Sequence, residues 1–399
     1  MEINTDSEKI KEILARGVEE AIDKDSLAKK LSSGKRLRVK FGIDPTAADI
    51  HLGHSVAMRK LAQFQELGHT AVLIIGDFTT LIGDPSGRTT SRPALTEAQI
   101  RDNMKDYIRQ ASKVIDIDKA EIHYNREWFG QKPMSFLMDL AGRFTVARLI
   151  EREDFQKRLK EGLDVSMLEL LYPLLQGYDS VAVSADIELG GYDQRLNLLF
   201  GRKVQRAFGR PEQDVMTVPL LIGTDGVKKM SKSVNNYIRI NEEPAKMFTQ
   251  VMAVSDRLMW NYFELLTDAP QTEIAELKLK TEKEIVHPRD VKMDLAHRIV
   301  AIFYDKKQAD GAKEEFVRVA QEGKLPTTIP TVAVKENFLN LPDLLVALSA
   351  AKSKGEARRL CEQGGVKVGG ELKTDWQEMI EIKPGMVVQI GKSKFYKIA

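Results

Sequence analysis

The sequence of 399 residues predicts an α/β body with a parallel sheet, followed by a helical region and a small C-terminal domain. The sheet is predicted by a β-rich stretch at 36–43, a helical pattern at 51–67 and an apolar run at 71–75. A strand, a helix and a strand within about 40 residues form a βαβ unit, whose two strands are parallel. Beyond residue 235 strand patterns vanish and helical patterns dominate to about residue 322.

The remaining elements of the body follow from hydrophobic spacing and capping residues. Helical patterns cover 7–28, 97–117 and 134–162, and further strands are predicted around 181–184 and at 215–221. Ser166 and Glu169 form a capping-box pattern, which starts another helix. Pro173 lies inside that helical pattern, so we expect a kink or a restart there. Gly68 is expected to end the helix that begins at 51.

Changes in composition along the chain predict the domain boundaries. The α/β body is expected to cover 1–234 and the helical middle 235–325. The segment 326–337 is rich in Pro and Thr and is predicted to be a linker. Residues 338–399 have a hydrophobic pattern of their own, so they are expected to form a separate domain.

Composition excludes several broad classes of protein. The 60 Lys and Arg residues nearly balance the 58 Asp and Glu residues, so bulk charge does not hold the chain on nucleic acid or membranes. The one cysteine, Cys361, allows no intrachain disulfide and fits a reducing compartment. Residues 1–20 lack the apolar core of a signal peptide, and no apolar run approaches the ~20 residues of a membrane span. We therefore expect a cytoplasmic protein without a membrane partner.

The first motif with chemical meaning is His-Leu-Gly-His at 51–54, between a predicted strand and a predicted helix. Helix N-termini bind anions because their backbone N–H groups are unpaired and the dipole is positive there. His51 and His54 share one face of the first turn, so both can point N–H donors at one anion. Gly53 has no Cβ, so a flat ring could lie against the backbone there. Zinc is the alternative ligand, but this spacing without a nearby cysteine is poor for zinc, and we expect no metal site.

The second motif is Lys-Met-Ser-Lys-Ser at 229–233, which follows a predicted strand and a glycine-flanked turn. Lys228, Lys229 and Lys232, with two hydroxyl groups, suit a mobile clamp for a polyphosphate. The alternative is a solvated basic loop, which is what most lysine runs are.

The two motifs together resemble the paired signature of class I aminoacyl-tRNA synthetases. Further segments resemble bacterial tyrosyl-tRNA synthetases: Phe-Gly-Ile-Asp-Pro-Thr-Ala at 41–47, Gly-Asp-Pro-Ser-Gly at 83–87, Tyr-Pro-Leu-Leu-Gln-Gly-Tyr-Asp at 172–179 and Gly-Gly-Tyr-Asp-Gln at 190–194. Residues 338–399 resemble a ribosomal-S-four-like RNA-binding domain, through the runs at 353–360 and 391–397. The resemblance covers nearly the whole chain.

This resemblance implies a fold, an activity and partners. The fold would be a Rossmann-like catalytic domain, a helical anticodon-side domain and an α+β RNA-binding domain. The activity would be ligation of L-tyrosine to tRNA(Tyr), by way of tyrosyl-adenylate formed from ATP. Mg²⁺ is expected to accompany ATP rather than to occupy a dedicated protein site. A homodimer that binds tRNA across both subunits is implied, with no DNA partner.

The resemblance also implies roles for individual residues. At the ATP phosphates it implies catalytic roles for His51, His54, Lys229 and Lys232. It implies ATP contacts for Gly53 under the adenosine, Asp193 at the ribose, and Ser231, Arg88 and Arg92 at the phosphates. The implied tyrosine pocket has Asp84, Tyr172 and Gln176 at the ammonium group, Asp179 at the phenol and Gln194 near the carboxyl group, with Gly42, Asp44 and Thr79 as further contacts.

Part of the tyrosine pocket follows from the residues themselves. Tyr172, Gln176 and Asp179 fall on one face of the predicted helix, whose other faces are apolar. An ordinary solvated helix side is the alternative. If the stripe is buried, it needs polar partners, which a polar ligand can supply. Asp179 would then favour tyrosine over phenylalanine, because phenylalanine leaves a buried acceptor unpaired.

Several residues depart from the family pattern. Lys40 stands where many bacterial relatives have a tyrosine, and we expect it either to pair with Asp179 or to turn towards solvent. Phe41 and Ala57 stand where some relatives have ribose contacts, and Tyr192 replaces a small residue beside the adenylate.

The C-terminal domain carries a local basic cluster. Lys352, Lys354, Arg358 and Arg359 fall close together at a predicted helix start, which suits RNA phosphates. A solvated basic face is the alternative, because residues 340–399 carry only ten Lys and Arg against seven Asp and Glu. Alternatives to the whole assignment are a tryptophanyl-tRNA synthetase, a non-catalytic RNA-binding protein and another nucleotidyltransferase.

Overall fold

The computed structural model describes residues 2–86, 95–391 and 394–399. The chain divides into two compact units, one ending at Ala309 and the other covering Asp310–Ala399. Within the described ranges, no helix has both the length and the apolar character that a membrane span requires. The finer division into four segments stays a prediction.

The first unit contains a six-stranded sheet. Its strands are β1 (Glu20–Ile22), β2 (Arg38–Ile43), β3 (Thr70–Ile75), β4 (Glu121–Tyr124), β5 (Ile187–Gly191) and β6 (Asp214–Val218). The spatial order is β1-β6-β5-β2-β3-β4, with every neighbouring pair parallel except β1 and β6. The predicted α/β class with a parallel sheet is therefore confirmed. The order reverses between β2 and β5, and ligands of such sheets bind at the carboxyl ends of the strands beside this reversal.

Helices surround this sheet and extend beyond it in the sequence. They are α1 (Ser7–Ala15), α2 (Lys24–Ser32), α3 (Leu52–Glu66), α4 (Glu97–Met104), α5 (Tyr107–Ala111), α6 (Arg126–Phe129), α7 (Met134–Gly142), α8 (Val146–Leu149), α9 (Glu153–Lys160), α10 (Met167–Ala182), α11 (Arg195–Ala207), α12 (Pro244–Met252), α13 (Asp256–Leu266), α14 (Gln271–Glu282), α15 (Pro288–Phe303) and α16 (Lys306–Phe316). The change to helices beyond residue 235 is confirmed.

The central βαβ unit forms as its sequence predicts. Strand β3 is buried along nearly its whole length, as a central strand covered on both faces must be. Helix α3 buries Met58, Leu61 and Phe64 completely. Gly68 follows the C-cap of α3 with a φ of 91°, which confirms it as the glycine that ends this helix.

Two of the predicted elements are wrong. The expected helix over 7–28 is instead α1, strand β1 and α2, because Gly17 and Asp23 adopt left-handed φ values of 59° and 58°. The strand expected around 181–184 is the end of α10, and the strand comes later, as β5. A short apolar run fits a buried helix as well as a strand, and its spacing does not separate the two.

Other helical predictions were correct in type but not in extent. The pattern over 97–117 contains α4 and α5, and that over 134–162 contains α7, α8 and α9. The capping box of α10 is confirmed, since Ser166 Oγ accepts from the N–H of Glu169 at 3.2 Å. Helix α10 continues through Pro173, so the chain does not restart there.

The second unit is a small α+β domain. Its elements are β7 (Thr331–Val332), β8 (Phe338–Asn340), α17 (Leu341–Ala347), α18 (Lys354–Glu362), β9 (Val366–Val368), β10 (Glu371–Leu372), β11 (Met379–Glu381), β12 (Val387–Ile390) and β13 (Lys394–Ile398). Five strands form a sheet in the order β10-β9-β12-β13-β7, and β8 pairs with β11. Strand β7 lies within the expected linker and pairs with β13, so that segment contributes to the domain. The predicted α+β character is confirmed.

Candidate active site

A cavity of about 560 Å³ lies at the carboxyl ends of the central strands, where the strand order reverses. This volume is within the usual range for small-molecule sites. Most of the residues predicted for the site line it: Gly42, Asp44, His51, Gly53, His54, Thr79, Asp84, Tyr172, Gln176, Asp179, Asp193, Gln194, Lys229 and Ser231. Lys232 lies beside it and donates to the carbonyl of Ala47 at 3.3 Å. Arg88 and Arg92 lie outside the described residues.

The two sequence motifs meet at the mouth of this cavity. The chain after the second motif pairs with the chain at the start of α3: the N–H of Leu52 donates to the carbonyl of Ile238 at 2.9 Å. A Cβ built on Gly53 would lie 3.5 Å from Cβ of Met230. Segments far apart in sequence therefore form one wall of the cavity.

The two histidines are stacked and neutral. Their ring centroids are 3.7 Å apart, and the backbone N–H of His51 donates to Nδ1 of His54 at 3.2 Å. Because that nitrogen accepts, the proton of His54 is assigned to Nε2. Burial, with a smaller contribution from the charge of Lys232, lowers the pKa of His51 to about 3, and burial holds the pKa of His54 well below its usual value. At neutral pH these rings offer N–H donors rather than positive charge.

The lysine motif supplies the positive charge. Nζ of Lys229 lies 2.6 Å from Oδ2 of Asp193, and both side chains are partly exposed. The charge of Lys232 acts on both histidines, which places it beside the first motif. The mouth of the cavity therefore combines two ammonium groups with neutral imidazole donors, a set that suits a polyphosphate.

The predicted polar stripe on α10 faces the cavity. Tyr172 is buried and donates its hydroxyl to Oδ2 of Asp44 at 3.0 Å, while the hydroxyl of Thr79 donates to Oδ1 of Asp44 at 2.9 Å. Burial, strengthened by the negative charge of Asp44, holds the pKa of Tyr172 well above its usual value. Tyr172 therefore stays a neutral phenol that positions a carboxylate.

Asp179 lies deeper on the same helix face and is only 4% exposed. Its Oδ1 accepts from Nε1 of Trp128 at 3.0 Å, and its Oδ2 accepts from Nδ2 of Asn125 at 3.4 Å. Burial raises the pKa of Asp179 to about 7, against the opposing charge of Lys40 and these two hydrogen bonds. A hydrogen bond donated by a ligand would stabilise the ionised form of this buried carboxyl group.

A second polar group surrounds Asp84. Nε2 of Gln194 donates to Oδ2 of Asp84 at 2.6 Å, and Nδ2 of Asn197 donates to Oε1 of Gln194 at 2.9 Å. The buried guanidinium of Arg152 donates to Asn197 and, at 3.1 Å, to Oγ of Ser86. Asp84 and Gln194 are thus fixed as a hydrogen-bonded pair.

Residues 32–321 match the family model described as "tRNA synthetases class I (W and Y)", and residues 322–398 match a "Tyrosine--tRNA ligase SYY-like C-terminal domain". The chain belongs to this class I synthetase family. It is 46% identical to the tyrosine–tRNA ligase of Thermotoga maritima, over 99% of this chain and 98% of that protein. It is 47% identical to that of Moorella thermoacetica, over 97% of this chain and 94% of that protein. The resemblance to bacterial tyrosyl-tRNA synthetases is confirmed.

Solved structures agree with this family at the level of the fold. A C-terminally truncated mitochondrial tyrosyl-tRNA synthetase from Aspergillus nidulans matches with a TM-score of 0.66 and 21% identity, over 77% of this chain and 92% of that one. A tyrosyl-tRNA synthetase from Archaeoglobus fulgidus, complexed with L-tyrosine, matches with a TM-score of 0.61 and 21% identity, over 77% of this chain and 99% of that one.

Lys40, which stands where many bacterial relatives have a tyrosine, behaves in neither of the two expected ways. It neither pairs with Asp179 nor turns to solvent, because its Nζ lies 2.8 Å from Oε1 of Glu188 and the side chain is fully buried. Phe41 and Ala57 line the cavity, and neither side chain carries a polar group that could contact a ribose. Tyr192 is 46% exposed and is not among the lining residues, so it does not narrow this synthetase site.

Sequence reasoning missed several supporting residues. Trp128 and Asn125, which hold Asp179, follow strand β4, and the sequence around them carries no motif. Asn236 fixes the lysine motif of this synthetase, since its Oδ1 accepts from the N–H of Ser231 at 2.8 Å and its Nδ2 donates to the carbonyl of Lys229 at 3.1 Å. The position of Asn125 at the carboxyl end of a parallel strand is the one signal that could have indicated it.

The four predicted RNA-binding residues lie in the second unit and are all exposed. Lys354 pairs with Asp343, and the guanidinium of Arg358 lies 3.6 Å from the ring centroid of Trp376. Lys352 and Arg359 lie beside them, just before and within α18. The structure thus brings the four cations together around one helix start, and their role in binding RNA stays a prediction.

Proposed function

We propose that the chain is a tyrosine–tRNA ligase. In the first step, the carboxylate of L-tyrosine attacks the α-phosphate of ATP, which forms tyrosyl-adenylate and releases pyrophosphate. In the second step, the tyrosyl group passes to the 3′-terminal adenosine of tRNA(Tyr) and AMP leaves. The observation that carries this proposal is a buried carboxylate, Asp179, facing the cavity whose mouth is formed by both synthetase motifs.

The first step requires alignment and charge neutralisation rather than proton abstraction, because the nucleophile is already a carboxylate. His51 and His54 donate N–H groups to the phosphates, while Lys229 and Lys232 neutralise charge on the departing pyrophosphate. Ser231 and Arg88 add phosphate contacts, and Gly53 leaves room for the adenosine. Asp193 accepts from the ribose, which requires its ion pair with Lys229 to open.

The tyrosine end of the site recognises each polar group of the substrate separately. The phenol donates to Asp179, and the ammonium group is surrounded by acceptors from Tyr172, Gln176 and Asp84. Gln194 lies near the carboxyl group, where attack takes place. Gly42, Asp44 and Thr79 complete the pocket, with Asp44 fixed by the hydroxyls of Thr79 and Tyr172.

Mg²⁺ would enter on the phosphates of ATP, which retain it by their own oxygens. Among the described residues there is no cluster of three or more His, Cys, Asp or Glu side chains that could hold a metal ion. The proposed role of a nucleotide-borne Mg²⁺ is to neutralise the pyrophosphate.

The functional form is a homodimer in the cytoplasm. The support is a set of exposed apolar side chains on α7 and at the start of α10: Met134, Met138 and Met167 are 72%, 70% and 68% exposed, and Leu168 is 54% exposed. Exposed apolar patches of this kind mark protein interfaces. Sedimentation of Met138→Glu and Met167→Glu variants should show monomers, with Met138→Leu as the matched control that stays dimeric.

Binding of tRNA(Tyr) would use the second unit, through the exposed cations around the start of α18. Removal of 338–399 should weaken charging of tRNA while leaving adenylate formation intact. An equal loss of both activities would assign this unit a structural role instead.

Pyrophosphate exchange with each standard amino acid tests the proposed activity directly. Tyrosine alone should support exchange. Exchange with tryptophan would assign the chain to the other branch of its family, and absence of exchange with every amino acid would favour a non-catalytic RNA-binding protein.

A further inference from the structure

A buried ion pair lies behind the proposed tyrosine pocket. Lys40 on β2 and Glu188 on β5 are direct neighbours across the parallel strands, and their side chains are 0% and 1% exposed. Burying two charges costs free energy that their attraction rarely exceeds, so such pairs are weak evidence for a role in stability. The contacts of this pair indicate a different role.

Both members of the pair hold Gln176, which lines the cavity. Nζ of Lys40 donates to the backbone carbonyl of Gln176 at 3.1 Å. Oε1 of Glu188 accepts from Nε2 of Gln176 at 3.3 Å. The amide is therefore fixed from its backbone and from its side-chain nitrogen.

Further hydrogen bonds hold the Glu188 carboxylate in place beside the Gln176 amide. Its Oε2 accepts from the hydroxyl of Ser180 at 3.2 Å and from Nε2 of Gln213. The oxygen of Ser180 in turn accepts from Nζ of Lys40 at 2.7 Å. Among the described residues, both oxygens of Glu188 thus accept hydrogen bonds, as a buried polar network requires.

This arrangement determines which end of the Gln176 amide is available to a ligand. A primary amide can present either its NH₂ or its oxygen, and the neighbouring hydrogen bonds decide between them. Because Glu188 accepts from the NH₂ group, the oxygen is left over, and Oε1 of Gln176 is buried without a partner among the described residues. A buried acceptor without a partner needs a donor from a ligand.

We infer that Lys40 and Glu188 are positioning residues that orient the Gln176 amide so that its oxygen accepts from the α-ammonium group of tyrosine. The inference rests on the proposed role of Gln176 in binding that ammonium group. Without Glu188 the amide would turn its NH₂ towards the cavity, where water can accept from it. Binding of tyrosine would then require the amide to turn its NH₂ group towards a wall without an acceptor. The affinity for tyrosine would fall as a result.

The test compares L-tyrosine with 3-(4-hydroxyphenyl)propanoate, which lacks the ammonium group. The readout is the Kd of 3-(4-hydroxyphenyl)propanoate divided by the Kd of L-tyrosine, both measured by calorimetry on the full-length protein. In the Lys40→Met/Glu188→Leu double variant this ratio should fall by roughly 10- to 100-fold, the usual effect of leaving a buried donor unpaired. A merely structural pair would weaken both ligands equally, and an unchanged ratio would overturn the inference.

Two further variants keep the test decisive. Glu188→Asp retains the charge opposite Lys40 but withdraws the carboxylate from Gln176, so it should lower the ratio even if the double variant does not fold. Ser180→Ala removes a bond of the same network that does not reach the Gln176 side chain, so its ratio should match that of the unmodified protein. A fall in Ser180→Ala as large as in Glu188→Asp would count against a specific effect on the amide.

Failure of the inference can be separated from failure of the proposed function. Gln176→Leu should lower the same ratio if Gln176 binds the ammonium group. If Gln176→Leu lowers it and Glu188→Asp does not, only the positioning role is wrong. If Gln176→Leu has no effect, the proposed tyrosine pocket itself is wrong.

Discussion

The raised pKa of Asp179 predicts that selection of tyrosine depends on pH near neutrality. The phenol of tyrosine needs an ionised acceptor, and burial places the pKa of Asp179 at about 7. Below that value the carboxyl group is mostly protonated, and the acceptor capacity that it retains is used by Trp128 and Asn125. Binding of the phenol favours the ionised form, so tyrosine affinity should rise with pH through this range.

The size of the effect follows from the titration of one group. A group with a pKa of about 7 is ionised to about one tenth at pH 6 and to about nine tenths at pH 8. The affinity for tyrosine should therefore increase about tenfold between these two pH values. His51 does not contribute, because its pKa is lowered to about 3.

The assay is calorimetry of L-tyrosine and L-phenylalanine between pH 6 and pH 8. Phenylalanine shares the ammonium and carboxylate groups but has no hydroxyl. Effects of the shared groups therefore cancel when the Kd of phenylalanine is divided by the Kd of tyrosine. The ratio should rise about tenfold over this range in the unmodified protein and stay flat in Asp179→Asn. A flat ratio in the unmodified protein, or an unchanged slope in Asp179→Asn, would refute the reasoning.

Three other perturbations have definite outcomes. Lys229→Ala should lower kcat for pyrophosphate exchange by about 100- to 1,000-fold, the effect of losing one preorganised transition-state contact, with the Kd for tyrosine unchanged in calorimetry. Gly76→Ala should weaken tyrosine binding and lower Tm, because the added Cβ would overlap Oδ1 of Asp44; overpacking of this kind costs about 1–3 kcal/mol, and a normal Tm would contradict it. Trp128→Phe removes a hydrogen bond that lowers the pKa of Asp179, so the pH profile of tyrosine binding should move to higher pH; a shift to lower pH would contradict this assignment.

The parts of the site that lie within one element could be predicted from the sequence. Tyr172, Gln176 and Asp179 share a face because they lie on one helix, and His51 and His54 share a turn. The two motifs could be brought together only through the family resemblance, because their separation in the sequence does not indicate contact.

The parts that depend on strand order could not be predicted. Lys40 and Glu188 are direct partners in the register of β2 and β5, and that neighbour relation is set by the topology of the whole sheet. The sequence therefore suggests Asp179 or solvent as the surroundings of Lys40 and does not indicate Glu188. Similarly, the pairing of β1 with β6 is a tertiary contact, so the local sequence does not indicate that 20–22 form a strand.

The ion pair between Lys229 and Asp193 has a consequence for which anions can occupy the mouth of the cavity. A lone inorganic phosphate that draws Lys229 away leaves the Asp193 carboxylate without compensation. In the proposed site, a nucleoside triphosphate would offer phosphate oxygens to the lysine and sugar hydroxyls to the carboxylate, so it would replace both halves of the pair at once. In the proposed site, this ion pair would therefore favour a ligand that carries both groups over a small anion.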